Sequence, residues 1–196
     1  MMELTKRQMD IVNAAIRIIA RKGYRELTIK NLAKSLALTE AALYRHFESK
    51  HELIRGILAY FETLSCRVLQ DLRDEDVSPL EKIKSFVLDR YRLFVQNPDL
   101  GKVMFSEELF KNDPIFSSDM LSIMHIHRDE IIRYLKEGQV LGILRKDIRN
   151  IDIFRIVVGS MRLTITQWNL TNYGFDLIEE GTKLWNTIEN MIKEPI

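Results

Sequence analysis

The chain has 196 residues, of which 46% are hydrophobic and 29% charged, with a single cysteine and a net charge of +1. These values are typical of a folded protein of one or two domains, and they exclude wholesale disorder, a disulfide framework and a cysteine-based zinc site. No apolar run is long enough for a membrane helix, and the polar N-terminus lacks a signal-peptide pattern, so we expect a cytoplasmic protein without membrane contact.

The first three predicted helices are short and closely spaced. An apolar stripe with helical spacing defines the first one and is formed by Val12, Ala15, Ile16 and Ile19. This helix ends at Gly23, and two more are predicted over 28–36 and 39–45. A tight connection at Ala37 separates these two, and the small side chain of Ala33 lets two helices cross closely. The spacing is typical of a helix-turn-helix unit, whose second helix enters the DNA major groove.

Six further helices are predicted from capping residues, helix-breaking prolines and apolar periodicity. Ser49 and Glu52 form a capping box before the fourth helix, and Ser78 followed by Pro79 begins the fifth. The predicted ranges are 49–73, 78–97, 99–109, 116–140, 150–171 and 176–193. Alternating strand patterns are missing, so the predicted fold class is all-α with nine helices.

The charge is divided unevenly along the chain. Residues 1–56 contain eleven Lys or Arg against six Asp or Glu, a net charge of +5, whereas the remainder has 18 against 22, a net charge of −4. This asymmetry favours an N-terminal segment that meets a polyanion, although an excess of this size also arises by chance in a solvated segment.

The exposed face of the third predicted helix suits DNA. It comprises Thr39, Glu40, Ala41, Tyr44, Arg45 and His46. Hydroxyl, imidazole and guanidinium groups donate to phosphates, and the alanine methyl suits the thymine methyl. Tyr44 could instead be a core aromatic, but its hydroxyl needs water or a phosphate, so a DNA contact is favoured. For Phe47 the core interpretation is favoured.

The segment from Gly23 to Leu53 resembles the DNA-binding domain of the TetR family of bacterial transcriptional regulators. The resemblance is carried by Gly23, Tyr24, Thr28, Ile29, Leu32, Ala33, the run from Leu38 to Phe47, Lys50 and Leu53. It covers about the first 55 residues, and its most specific part is the run from Leu43 to Lys50. The family usually has glycine where this chain has Ala37, and a non-glycine residue at positive φ costs roughly 1–2 kcal/mol.

The resemblance implies a homodimer that reads a palindromic double-stranded operator. Residues 1–48 would form the helix-turn-helix DNA-binding domain, and 49–196 the helical effector-binding and dimerisation domain. The positions that match phosphate contacts in the family are Thr28, Thr39, Tyr44, His46 and Lys50. The positions that match residues facing base edges are Glu40, Ala41 and Arg45.

The last two predicted helices favour dimerisation. The helix over 150–171 is apolar on more than one face, and the final helix carries a clean apolar stripe. The simpler interpretation is an intrachain core, and the alternative, which the resemblance supports, is a four-helix bundle with a second copy. The predicted interface comprises Ile156, Gly159, Ser160, Leu163, Leu177, Gly181, Leu184, Trp185 and Ile188.

The middle helices are rich in methionine and aromatic residues. Each of these residues is core by default, but together they also suit an adaptable cavity for a hydrophobic or amphipathic effector. The candidate lining residues are Tyr91, Phe94, Met104, Phe105, Met124, His127 and Thr164. His125 and His127 diverge around a helix, so no metal site is predicted, and a solvated or hydrogen-bonded histidine is the simpler interpretation.

The sequence therefore predicts a ligand-responsive transcriptional regulator, a repressor acting at the nucleoid in the bacterial cytoplasm and released from DNA by a small molecule. The alternative is a DNA-binding architectural or division-related factor of the same fold with a protein partner. An enzyme is not expected, because no nucleophile–base pair, metal spacing or phosphate loop is present. No cofactor is expected.

Overall fold

The computed structural model describes residues 4–74 and 76–195. In these ranges the chain forms α-helices, a 3-10 turn at Tyr24–Glu26 and one isolated β-bridge, but no β-strand. The helices are α1 (Lys6–Lys22), α2 (Ile29–Ser35), α3 (Glu40–Tyr44), α4 (Lys50–Asp74), α5 (Pro79–Gln96), α6 (Pro98–Met104), α7 (Glu107–Asn112), α8 (Pro114–Val140), α9 (Asn150–Leu170) and α10 (Leu177–Ile192). The predicted all-α fold class is confirmed.

All nine predicted helices are present in the described part of the chain, and the one predicted over 99–109 is divided into α6 and α7. The division arises because Ser106 caps a new helix: its hydroxyl oxygen accepts a hydrogen bond from the Leu109 amide at 3.3 Å. Ser49 and Ser78 cap α4 and α5 as predicted, accepting from amides three residues later at 3.1 and 3.2 Å.

One compact unit consists of the chain up to Ser65 and of Asp99–Ile123. Its N-terminal core is formed by side chains that are almost fully buried, among them Ile11, Val12, Leu32, Leu43, Phe47, Ile54 and Ile57. The first turns of α4 pack closely against Phe47 because Gly56 has no side chain: a β-carbon there would lie 2.9 Å from the Phe47 ring. The compact unit therefore extends past residue 48, and the division into 1–48 and 49–196 stays a prediction about function.

The second compact unit consists of Cys66–Pro98 and the chain from Met124 onward. Here α5, α9 and α10 pack against one another. Buried side chains at the contacts include Ile83, Tyr91, Val157, Ile165 and Trp185. Paired backbone hydrogen bonds, from Arg145 to Ile192 and from Glu194 to Ile143, each 3.0 Å long, fasten the segment after α8 to the end of α10.

Candidate nucleic-acid interface

The turn between α2 and α3 has the left-handed backbone that the family resemblance implied. Ala37 has φ of +52°, a conformation that glycine adopts more easily than alanine. The turn is nevertheless closed tightly, since the Leu38 amide donates to the Ala33 carbonyl at 2.9 Å. Ala37 therefore occupies a backbone conformation that suits glycine, at a cost in strain.

The α3 helix is anchored from one side and open on the other. Leu43 and Phe47 are buried at 0 and 1% exposure, which confirms the core interpretation of Phe47. On the opposite side Tyr44 is 47% exposed. The other exposed residues at the predicted base- and phosphate-facing positions are Thr28, Thr39, Glu40, Ala41 and Arg45. A short helix held by buried anchors and lined with exposed polar groups can present those groups to a groove as a rigid set.

The two threonines at predicted phosphate positions are N-caps. The Thr28 hydroxyl oxygen accepts from the Asn31 amide, and the Thr39 hydroxyl oxygen accepts from the Ala42 amide, each at 3.1 Å. Capping uses the oxygen as an acceptor, so the hydroxyl hydrogen can be donated to a phosphate oxygen. Each threonine can thus hold its helix and bind DNA at the same time.

His46, two residues after the end of α3, is half-buried. Its backbone carbonyl accepts a hydrogen bond from the Gln8 side-chain amide at 3.1 Å. This bond joins α1 to the end of α3 and limits how far the two can move apart.

Lys50, the first residue of α4, is half-buried like His46, whereas the other predicted phosphate contacts are exposed. Its ammonium nitrogen lies 3.8 Å from the centroid of the Tyr24 ring, a cation–π contact. Burial lowers the pKa of Lys50, and the carboxylates of Asp113 and Glu108 act in the opposite direction. The Lys50 ammonium therefore lies in a site that already offers it negative charge.

The partners of Tyr24 were missed by the sequence reasoning. The Tyr24 hydroxyl donates to Asp113 Oδ2 at 3.0 Å, and its backbone amide donates to Glu108 Oε2 at 3.1 Å. Tyr24 and Asp113 are 89 residues apart in the chain, so no local pattern connects them. Burial and the Asp113 carboxylate raise the pKa of Tyr24 to about 12, which keeps its hydroxyl protonated as a donor.

The predicted interface residues fall into two groups. Ile156 and Leu163 are 39 and 59% exposed on α9, Gly159 is exposed, and Ser160 and Leu184 are half-buried. In contrast, Leu177, Gly181, Trp185 and Ile188 are buried within the single chain. Trp185 is fully buried, with its indole N–H donating to Glu189 at 2.8 Å. These four residues have almost no surface to offer a partner. The exposed α9 residues and Leu184 remain available to one, and the interface itself stays a prediction.

The predicted effector-pocket residues are divided between the two compact units. In the second unit Tyr91, Phe94 and His127 are buried, and the Tyr91 hydroxyl is hydrogen-bonded to Thr164. Met124 in the same unit is 39% exposed. Met104 is buried and Phe105 half-buried in the first unit. A cleft of about 430 Å³ in the second unit is lined by Thr164, Gln167, Phe175, Glu180 and Leu184, so it includes one of the seven candidates.

A buried basic pair in the second unit was also missed. Arg90 and His127 are 2 and 9% exposed, and both contact Phe86: the guanidinium carbon lies 4.9 Å from the ring centroid, and the imidazole lies edge-on at 5.7 Å. Burial, and then the Arg90 charge, lower the pKa of His127 to about 3. Burial lowers the pKa of Arg90 to about 10, against the opposing effects of Asp89 and Cys66. At neutral pH His127 is therefore uncharged and Arg90 charged.

Comparison with known proteins gives matches over the N-terminal segment and over the whole chain. Residues 11–57 match the sequence profile of the family described as bacterial regulatory proteins, tetR family. Over 199 aligned residues the chain is 30% identical to the nucleoid occlusion factor SlmA of Vibrio atlanticus (strain LGP32), covering 96% of this chain and 97% of that protein. The SlmA of Vibrio vulnificus (strain YJ016) is 24% identical with the same coverage.

Solved structures share the fold at lower identity. The fatty acid degradation regulator FadR from Bacillus halodurans superposes with a TM-score of 0.82 at 17% identity, covering 96% of this chain and 97% of that one. FadR from Bacillus subtilis, in complex with stearoyl-CoA, gives 0.80 at 19% identity, covering 92 and 96%. None of the helices in the described ranges is long and apolar enough to cross a membrane. The chain belongs to the TetR family of bacterial regulatory proteins and has the fold of its DNA-binding regulators.

Proposed function

We propose that this protein is a homodimeric repressor that reads a palindromic double-stranded operator through α3 and leaves it when an effector binds. The observation that carries the proposal is the exposed face of α3, held from behind by Leu43 and Phe47. Arg45 suits guanine, Glu40 suits the cytosine amino group and Ala41 suits the thymine methyl. Phosphate contacts from Thr28, Thr39, Tyr44, His46 and Lys50 would fix the register.

Dimerisation is supported by the exposed apolar stripe of α9. Ile156, Leu163 and Leu170 recur every seven residues and are 39, 59 and 81% exposed. Gly159, between the first two, has no atom within 4 Å of its would-be β-carbon, which leaves room for another helix. A second copy would cover this stripe symmetrically, because the same patch faces itself across a two-fold axis. The two α3 helices would then read half-sites separated by one or more turns of DNA, each turn being roughly 34–36 Å long.

For the effector we propose a hydrophobic or amphipathic small molecule. The interior of the second unit offers aromatic rings at Tyr91 and Phe94 and polar groups at Thr164 and His127, the mixture that small-molecule sites use. The structural likeness to a FadR that binds stearoyl-CoA supports an amphipathic class. Binding of such a ligand would favour a conformation of the dimer in which the distance between the two α3 helices no longer matches the spacing of the operator half-sites.

A second candidate function is supported by the whole-chain relatives. The nucleoid occlusion factors align over 96% of this chain, which favours a DNA-bound factor with a protein partner in place of a small-molecule effector. Both candidates place the protein at the nucleoid in the bacterial cytoplasm.

The two candidates predict different patterns of chromosomal binding. Immunoprecipitation of the tagged protein, followed by sequencing, should recover a few sites upstream of genes if it is an effector-controlled repressor, and transcription of those genes should rise on its deletion. Many sites dispersed over the chromosome, with no transcriptional change on deletion, would support the second candidate and contradict the first. The Arg45→Ala protein is the matched control, since its enrichment at specific sites should be weakened in either case.

A further inference from the structure

The position of Lys50 is set by residues far from it in the sequence. Its ammonium nitrogen lies on the Tyr24 ring at 3.8 Å, and the ring itself is held at two points. The Tyr24 amide donates to Glu108 at 3.1 Å, and the hydroxyl donates to Asp113 at 3.0 Å. All of these residues lie in the first compact unit.

The two carboxylates have different partners of their own. Asp113 is 1% exposed and also caps α8, since its Oδ1 accepts from the Phe116 amide at 3.0 Å. Glu108 also lies 3.8 Å from Arg25, whose side chain is 88% exposed. Asp113 is thus fixed in the interior, and its charge acts on Lys50 with little screening by solvent.

A lysine bound to a phosphate must direct its ammonium group towards DNA. Here the ring face and the two carboxylates attract the same ammonium towards the protein. The two attractions compete, because the same ammonium group cannot lie on the Tyr24 ring and against a DNA phosphate at the same time.

We infer that Tyr24, Glu108 and Asp113 are positioning residues that hold Lys50 in competition with a DNA phosphate. The placement of residues 108–113 thereby sets how firmly Lys50 binds DNA. This inference rests on the proposed function, because the contact between Lys50 and a phosphate is itself part of that proposal.

The test is a double-mutant cycle on affinity for a labelled mixed-sequence duplex at low salt, where phosphate contacts dominate binding. Asp113→Asn keeps the shape: the amide oxygen can still accept from Phe116, and the amide nitrogen can donate to the Tyr24 hydroxyl. It should tighten binding about two- to fivefold, the scale of a modest charge interaction, and steepen the salt dependence. In the Lys50→Ala background the same substitution should change neither quantity.

Asp99→Asn is the matched control, since Asp99 is an acid of the same compact unit that lies 3.7 Å from Arg21 and not at Lys50. Its effect on affinity should be the same with and without Lys50. Glu108→Gln, which keeps an acceptor for the Tyr24 amide, repeats the test should Asp113→Asn fail to fold. Equal effects of the Asp113 or Glu108 substitution in both backgrounds would overturn the inference while leaving the proposed DNA contact intact. If Lys50→Ala itself leaves affinity and salt dependence unchanged, the phosphate contact and the competition are both contradicted.

Discussion

The ring of Tyr91 on α5 packs directly against the backbone of Gly181 on α10, in a space that no β-carbon could share. The other glycine of the α9–α10 pair, Gly159, has open space at the same position. The two glycines thus mark two sides of the pair: at Gly181 the space is filled by the chain's own core, and at Gly159 it is open.

Alanine at these two glycines should have opposite effects on stability. Gly181→Ala forces the Tyr91 ring to move and should lower the free energy of unfolding by about 1–3 kcal/mol. Gly159→Ala meets no atom of its own chain within 4 Å and replaces a poor helix former. In chains made monomeric by Leu163→Arg it should therefore raise the free energy of unfolding by up to about 1 kcal/mol. Urea unfolding at one fixed protein concentration measures both, and equal changes would contradict the packing described here.

Ala37 stores backbone strain that glycine would relieve. Because its φ is +52°, Ala37→Gly should stabilise the protein by roughly 1 kcal/mol, visible as a higher urea midpoint with an unchanged slope. Ala41→Gly, at an exposed position of α3, is the control and should lower the free energy of unfolding by about 0.5–1 kcal/mol. Destabilisation by both substitutions would show that the turn is not strained.

His127 should make the fold sensitive to mild acid. Its pKa is about 3 in the folded chain and about 6.5 when unfolded, so the unfolded state takes up the proton first as pH falls. The stabilisation is complete above about pH 6.5 and is lost below it, at up to about 1.4 kcal/mol per pH unit. His127→Gln should flatten the pH dependence of the free energy of unfolding between pH 6.5 and 4, whereas His125→Gln, at an exposed position, should keep the wild-type slope.

The structural features that depend on neighbouring residues could be predicted from the sequence. Caps at Ser49 and Ser78, the turn at Ala37 and the buried anchor Phe47 all follow from local chemistry and appear as predicted. The sequence did not predict the buried side of α10, because a clean apolar stripe such as that around Trp185 looks the same whether its own chain or a partner covers it. Contacts such as Tyr24 with Asp113 depend on tertiary packing, which no periodicity reveals.

The exposed stripe of α9 should be required for dimerisation. Leu163→Arg places a charge in the middle of the stripe and should give monomers in sedimentation velocity at micromolar concentration, with an unchanged helical circular dichroism spectrum. Val140→Arg, at a residue 81% exposed on α8, is the control and should remain a dimer. A dimer that survives Leu163→Arg would locate the interface elsewhere.

The most direct measurement is selection of binding sites from a random duplex library, with the wild-type protein and with Arg45→Ala. If α3 reads DNA as a homodimer, the wild type should enrich a palindrome of two half-sites. Arg45→Ala should lose preference at one position in each half-site, a loss of about 1–3 kcal/mol of discrimination, while other positions stay specified. Enrichment of no sequence, or of the same palindrome with undiminished preference by Arg45→Ala, would contradict the assignment of α3 as the recognition helix.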